Sequence, residues 1–447
     1  MKRLMPILCV LFACVPNDAP GVSSPGDAAT VPANQNLTAF RNVSVIPMTG
    51  ESRLLSNQTV IVKNGRIEAI GKDLSIPAKA VTVDGTGLYL IPGLAEMHGH
   101  VPPPSADAQL VEDTLFLYVA NGITTVRGML GAPGQLALRE RAATGSIISP
   151  TLYLAGPSFN GNSVSSPDQA REMVRRQNTE GWNLLKVHPG LTRAEYDAMA
   201  EIANELGIRF GGHVPEDVGF VHALEMNQET FDHLDGYLEA LSERPIPDSA
   251  IRNLAVATRE AGAWVVPTMA LWETLLGTVD LNTLRDYDEL RYVPASTVEQ
   301  WSSAFSGRQN DPSYDEKEMR RYAADRIRLL RILHEEGVLI LLGTDAPQQF
   351  SVPGFSLHRE LDWMARSGME PYDILVSGTT NVGRYFANED DFGVIAPGQR
   401  ADLVLLRSNP LEGHRALAQI EGVMANGHWL SREAIDRRLS EIDARYE

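Results

Sequence analysis

Between residues 91 and 385 short apolar runs alternate with helix-like stretches, and this alternation constrains the fold more than any other feature of the chain. The runs lie at 123–126, 151–155, 183–187, 208–211, 263–266 and 338–342, with further strand positions near Glu96 and Phe231. Near-continuous apolarity marks strands buried on both faces, which is the pattern of a parallel sheet. The intervening stretches repeat apolar residues at helical spacing. Thr192 and Glu195 form a capping-box pair, Ala198, Met199, Ile202, Ala203 and Leu206 form one face, and Gly207 ends that helix. Met319, Tyr322, Ala323, Ile327, Leu330 and His334 repeat the pattern before Gly337. Eight such units predict an α/β fold of the (β/α)8 TIM-barrel type.

The barrel, placed at 91–392, is flanked by β-like segments. At 37–90 two alternating runs flank Asn64-Gly65, a type I′ hairpin signal. Residues 393–430 return to strand-like runs at 401–406 and 422–427. These two ends predict one small composite β-sandwich, followed by a C-terminal helix at 431–447. Strand ends recur every 20–35 residues or so until Pro267 and then stop until Asp345. That gap predicts an insertion at about 271–315 on the face where barrel active sites lie, in the role of a lid or substrate-shaping element.

After Met1 come Lys2 and Arg3, an apolar stretch at 4–13 and Cys14. The stretch is too short to span a bilayer as a helix and reads as a signal peptide. Leu11-Phe12-Ala13-Cys14 is similar to a bacterial lipobox, which implies a lipid anchor on Cys14 and a place in the periplasm or cell envelope. Residues 15–36 are rich in Pro, Ala, Ser, Gly and Asn and read as a tether. Cys9 and Cys14 are the two cysteines, so the body has no cysteine nucleophile and no thiolate ligand. A net charge of −18 disfavours nucleic acid as a partner, and no nucleotide-binding glycine motif is present.

Ionisable residues gather where the apolar runs stop. His98 and His100 share a strand face, and two imidazoles so placed suit a borderline-soft cation. Lys186 ends one run, where an ammonium needs a partner. His213 follows Phe210-Gly211-Gly212, His233 follows Phe231-Asp232, and Asp345 follows Leu341-Leu342-Gly343-Thr344. Six groups at the C-terminal ends of barrel strands converge on one point. His188 shares the Lys186 face and fits either a substrate contact or a supporting hydrogen bond. Arg127 fits either a substrate-carboxylate anchor or a structural ion pair.

Taken together, 91–100, Gly122-Ile123-Thr124-Thr125-Val126-Arg127, Leu185-Lys186-Val187-His188, Gly212-His213-Val214-Pro215, Gly343-Thr344-Asp345-Ala346 and 393–403 resemble the amidohydrolase superfamily, in its imidazolonepropionase-like and prolidase-like branch. The resemblance implies two divalent metal ions, zinc, bridged by a carboxylated Lys186. His98, His100 and Asp345 would hold one ion, and His213 and His233 the other. A hydroxide between them would attack the substrate, with Asp345 as the proton shuttle. The implied reaction is cleavage of an amide in a dipeptide or N-acyl amino acid. Gly128 stands where relatives often carry Asp. A mononuclear deaminase or cyclic-amide hydrolase is the alternative, which His213-Val214-Pro215-Glu216 fits; a non-catalytic binding barrel is a third. A homo-oligomer is compatible with all three.

Overall fold

The computed structural model describes residues 37–446. The segments read as signal peptide, lipobox and tether lie outside the described residues. Both chain ends enter one sheet. Strands β1 (Leu37–Val45), β2 (Leu55–Lys63), β3 (Arg66–Gly71), β4 (Val81–Asp84) and β5 (Tyr89–Pro92) join β14 (Leu403–Leu406), β15 (Ile420–Ala425) and β16 (His428–Ser431). The order is β16-β15-β14-β5-β1-β2-β3, with β4 also paired to β1. The seam is antiparallel and joins β14 to β5, with Leu403 opposite Pro92 and Leu406 opposite Tyr89. Asn64 and Gly65 turn the β2–β3 hairpin at φ 51° and 75°, as a type I′ turn requires. Asn426-Gly427, read as part of a strand at 422–427, is a second such turn, at φ 50° and 77°, and it joins β15 to β16.

Eight further strands lie between these ends: β6 (Leu94–Gly99), β7 (Ile123–Gly128), β8 (Thr151–Leu154), β9 (Leu184–Val187), β10 (Arg209–Gly212), β11 (Thr230–Asp232), β12 (Trp264–Val266) and β13 (Leu339–Ile340). All pair in parallel, β6-β7-β8 in one sheet and β9 through β13 in another. Hydrogen bonds cross both gaps between the sheets. Asn183 N donates to Leu154 O at 2.9 Å and Gly156 N to Leu184 O at 3.0 Å; Met97 N donates to Leu342 O at 2.8 Å and Asp345 N to His98 O at 2.7 Å. β6, β7 and β9 are buried along their whole length.

The helix Arg193–Leu206 has the predicted capping box, and Ala198, Met199, Ile202 and Ala203 are buried. Leu206, expected on that face, is 40% exposed at the last turn of the helix. The helix Glu316–Glu335 buries Asp325, Arg326, Leu329, Leu330, Ile332 and Leu333, a face rotated from the predicted one because a buried arginine and aspartate occupy part of it. Arg400, buried on the sheet side, bonds Asp402, Asp390 and the Thr125 hydroxyl of β7, and so fixes the sheet against the parallel strands.

The segment after β12 is helical: Met269–Leu275, Leu281–Arg285, a 3-10 turn at Asp288–Tyr292, and Ala295–Gln309. Leu284, Trp301 and Phe305 form a small core around Phe350, which lies in the loop after Asp345. Arg308 donates to the Gln349 side chain at 2.9 Å, and Arg359 pairs with Glu289. The Tyr314 hydroxyl donates to Leu276 O at 3.1 Å, so the two ends of this segment meet. Within this segment Met269–Leu275 packs on the helix Ser356–Arg366, where Glu360 accepts from Ala270 N at 2.8 Å. No helix among the described residues is long and apolar enough to cross a membrane.

Candidate metal centre

His98, His233 and Asp345 offer ligand atoms that all lie within 4.8 Å of one another, and all three residues are buried. His98 comes from β6, His233 from the residue after β11, and Asp345 from the segment after β13. Asp345 sits at φ 65° and His233 at φ 61°. Left-handed backbone is uncommon for residues with a Cβ, and such strain collects at functional sites.

The other predicted residues surround this group. His100 Nε2 is 2.5 Å from Asp345 Oδ1, with its side chain 22% exposed. Lys186 is fully buried, and its Nζ is 3.1 Å from His98 Nε2. The His213 ring lies 4.4 Å from that of His233, tilted by 33°, while its Nδ1 is 2.6 Å from Asp235 Oδ2. His188 stacks at 5.1 Å on His213, and its Nδ1 is buried with no protein partner. Gly212 holds φ 125°, and a Cβ there would meet Val187 O at 2.5 Å and the Lys186 side chain at 3.0 Å. A glycine is needed for Lys186 to pass beneath His213. Gly99 is likewise required by packing, since a Cβ would meet Glu96 at 2.8 Å and the Tyr118 hydroxyl at 3.1 Å.

His233 Nε2 is buried and has no partner in the protein, while its Nδ1 shares a hydrogen bond with the Thr268 hydroxyl at 2.8 Å. An orphaned buried imidazole nitrogen is costly, and a cation at that nitrogen would remove the cost. Burial, with the Lys186 charge and the neighbouring histidines adding to it, holds His98, His188 and His233 well below the usual imidazole range. They are therefore neutral, the form that binds metal. The donor set fits a divalent ion.

Arg127 does not reach substrate. Its guanidinium is fully buried and engaged on every nitrogen: Nε donates to Met97 O at 2.6 Å, Nη1 to the Thr230 and Tyr385 hydroxyls at 3.1 Å each, and Nη2 to both Asp232 oxygens at 3.1 Å. Glu216 is exposed, so the His-x-x-Glu pattern does not bring its carboxylate into the site.

Two acids at the centre escaped the sequence reading. Asp232 is fully buried, with Oδ2 2.7 Å from His98 Nδ1. Burial would raise its carboxyl, but Arg127 and Lys186 overcome that and hold it low. Glu96 accepts from Thr344 N at 2.7 Å, the Thr344 hydroxyl at 2.6 Å and His98 N at 3.1 Å. Burial pushes its carboxyl up to about 8. A charged residue inside an otherwise apolar strand was the available signal for both.

Residues 89–430 match the model of the amidohydrolase family. The chain belongs to that family. Adenine deaminase 3 of Rhizobium meliloti (strain 1021) is 22% identical over 379 residues, which is 79% of this chain and 52% of that protein. The chain thus spans about half the length of that curated relative. Among solved structures, a putative prolidase from Bifidobacterium longum superposes with a TM-score of 0.68 at 22% identity, covering 91% of this chain and 99% of the other. A bottromycin amidohydrolase superposes with a TM-score of 0.72 at 24% identity, covering 93% and 91%. At these identities the likeness establishes the fold.

Proposed function

We propose that the chain is a metal-dependent hydrolase that cleaves an amide bond of a dipeptide or N-acyl amino acid, on a closed eight-stranded barrel whose flanking sheet packs as a sandwich. The observation that carries this reading is the meeting of His98, His233 and Asp345 within 4.8 Å, with Lys186 Nζ 3.1 Å from His98 and His233 Nε2 left without a protein partner. His98, His100, His213, His233 and Asp345 would hold two zinc ions, with a carboxylated Lys186 between them. Bound ions of this kind lower the pKa of coordinated water and polarise a carbonyl. Asp345 takes the proton of the attacking water on a carboxylate oxygen and passes it to the leaving amine. His188, with its free Nδ1 beside His213, contacts the substrate. Export to the periplasm or envelope, with a lipid on Cys14, rests on the sequence of residues 1–14.

The prolidase fold neighbours and the buried Lys186 favour the two-ion reading. The deaminase relative favours the one-ion alternative, but the exposed Glu216 weakens it. Metal analysis of the purified chain decides between them, together with a hydrolysis screen over N-acyl amino acids, Xaa-Pro dipeptides, lactones and cyclic amides. Two ions per chain are expected, falling to one with almost no activity in Lys186→Ala. Lys186→Arg should not rescue, since a guanidinium stays protonated and cannot take up carbon dioxide. One ion beside a bare ammonium at Lys186 in active enzyme would overturn the two-ion reading.

A further inference from the structure

We infer that Asp232 and Arg127 are positioning residues that fix the proton of His98 on Nδ1 and so set the metal affinity of the centre; the inference rests on the metal-dependent reading above. Asp232 Oδ2 lies 2.7 Å from His98 Nδ1, a contact bent away from ideal hydrogen-bond geometry but inside charge-assisted range. The bidentate Arg127 keeps Asp232 a carboxylate. A carboxylate at that separation repels an imidazole lone pair and attracts an N–H. Nδ1 therefore carries the proton, and the Nε2 lone pair is turned toward Lys186, at 3.1 Å, and Asp345, at 3.6 Å. The opposite tautomer would place an N–H where a cation must sit. Residues that orient metal-binding histidines in this way typically alter metal affinity 10- to 100-fold, in order of magnitude, when replaced.

Arg127 extends the effect across strands. It rises from β7, bonds Met97 O next to His98 on β6, and holds Thr230 and Asp232 on β11 next to His233. One guanidinium thus sets the relative position of two histidines that are 135 residues apart in the chain (233 − 98). A lysine at this position cannot make the forked contact.

The test uses the full chain with zinc as the probe, in competition with a chromophoric chelator. Asp232→Asn and Arg127→Lys should each weaken zinc binding by about 10-fold or more in protein that circular dichroism shows to be folded, beyond the loss of thermal stability that opening a buried ion pair brings. Wild-type zinc affinity in both variants would overturn the inference. Nitrogen NMR of histidine-labelled, metal-free wild type, assigned with His98→Ala, gives an independent reading even where a variant fails to fold. An Nδ1–H tautomer at His98 supports the inference and an Nε2–H tautomer overturns it. Failure of wild type to bind zinc at all would instead remove the metal reading, while the tautomer measurement would still stand by itself.

Discussion

Asp345 reaches three histidines at the centre. Its Oδ1 is 2.5 Å from His100 Nε2 and 3.6 Å from His98 Nε2, and its Oδ2 is 3.7 Å from His233 Nδ1. Asp345→Asn preserves shape and an oxygen donor but cannot accept a proton. It should keep most bound metal and lose about 10²- to 10⁴-fold in kcat; a loss under tenfold would remove the proton-shuttle role. His98→Ala or His233→Ala should lose metal and activity together, with circular dichroism showing a folded chain. Near-wild-type turnover in either would exclude that residue from the site. At this scale the sequence was a good guide to the six converging side chains, because each stands where an apolar run ends. It was a poor guide to their supports. Whether Arg127 meets substrate or Asp232 depends on which strands neighbour β7 across the fold, and no local pattern encodes that.

Elements were legible where local physics decides them. The Asn64-Gly65 turn and the Thr192 capping box formed as read, since both depend on a few consecutive residues. The same turn signal at Asn426-Gly427 was hidden inside a run that read as strand. The segment read as an insertion was visible in the sequence only as a gap between strand ends, and its helices were not. Replacing 278–313 by a short Gly/Ser link between Gly277 and Tyr314 should leave every proposed ligand in place. KM should rise about tenfold, worth about 1.4 kcal/mol, or substrate choice should broaden. A folded deletion that binds no metal would show that the insertion builds the site rather than shaping access to it. The helix Ser356–Arg366 makes a separate prediction. His358, whose Nε2 is 3.2 Å from Asn121 Oδ1, is pushed down by burial from 6.5 to about 4. Its neutral form is favoured by the fold, so its contribution is complete above pH 6.5 and is lost as pH falls toward 4, by up to about 3 kcal/mol. Glu360 on the same helix is raised by burial to about 7 and works in the opposite sense, losing its contribution as pH rises through that value. His358→Gln should therefore flatten the fall in stability between pH 6.5 and 4 in urea titrations; an unchanged slope would show that His358 is not held neutral.

Across the whole molecule, the candidate ligands come from places far apart along the chain. His98 follows the N-terminal sheet on β6, Lys186 is on β9, His213 and His233 come just after β10 and β11, and Asp345 comes after β13. Cation binding at their meeting point would join strand ends whose parallel ladders are only two to four residue pairs long on the β9–β13 side. The folded chain presents this donor set in one place and the unfolded chain disperses it, so metal binding stabilises the fold by mass action. Free metal at 100 times its dissociation constant contributes about 2.7 kcal/mol. Without the cation, neutral His98 and His233 remain buried, with His233 Nε2 unsatisfied. Removing zinc with a chelator should thus lower the midpoint of thermal unfolding by several degrees, and adding zinc back should restore it. His233→Ala should start from the lower midpoint and respond to neither treatment, because the variant lacks a ligand that the shift requires. A wild-type midpoint that ignores both chelator and zinc would mean that the buried histidines and Asp345 are satisfied by one another, and that this cluster is not a metal centre.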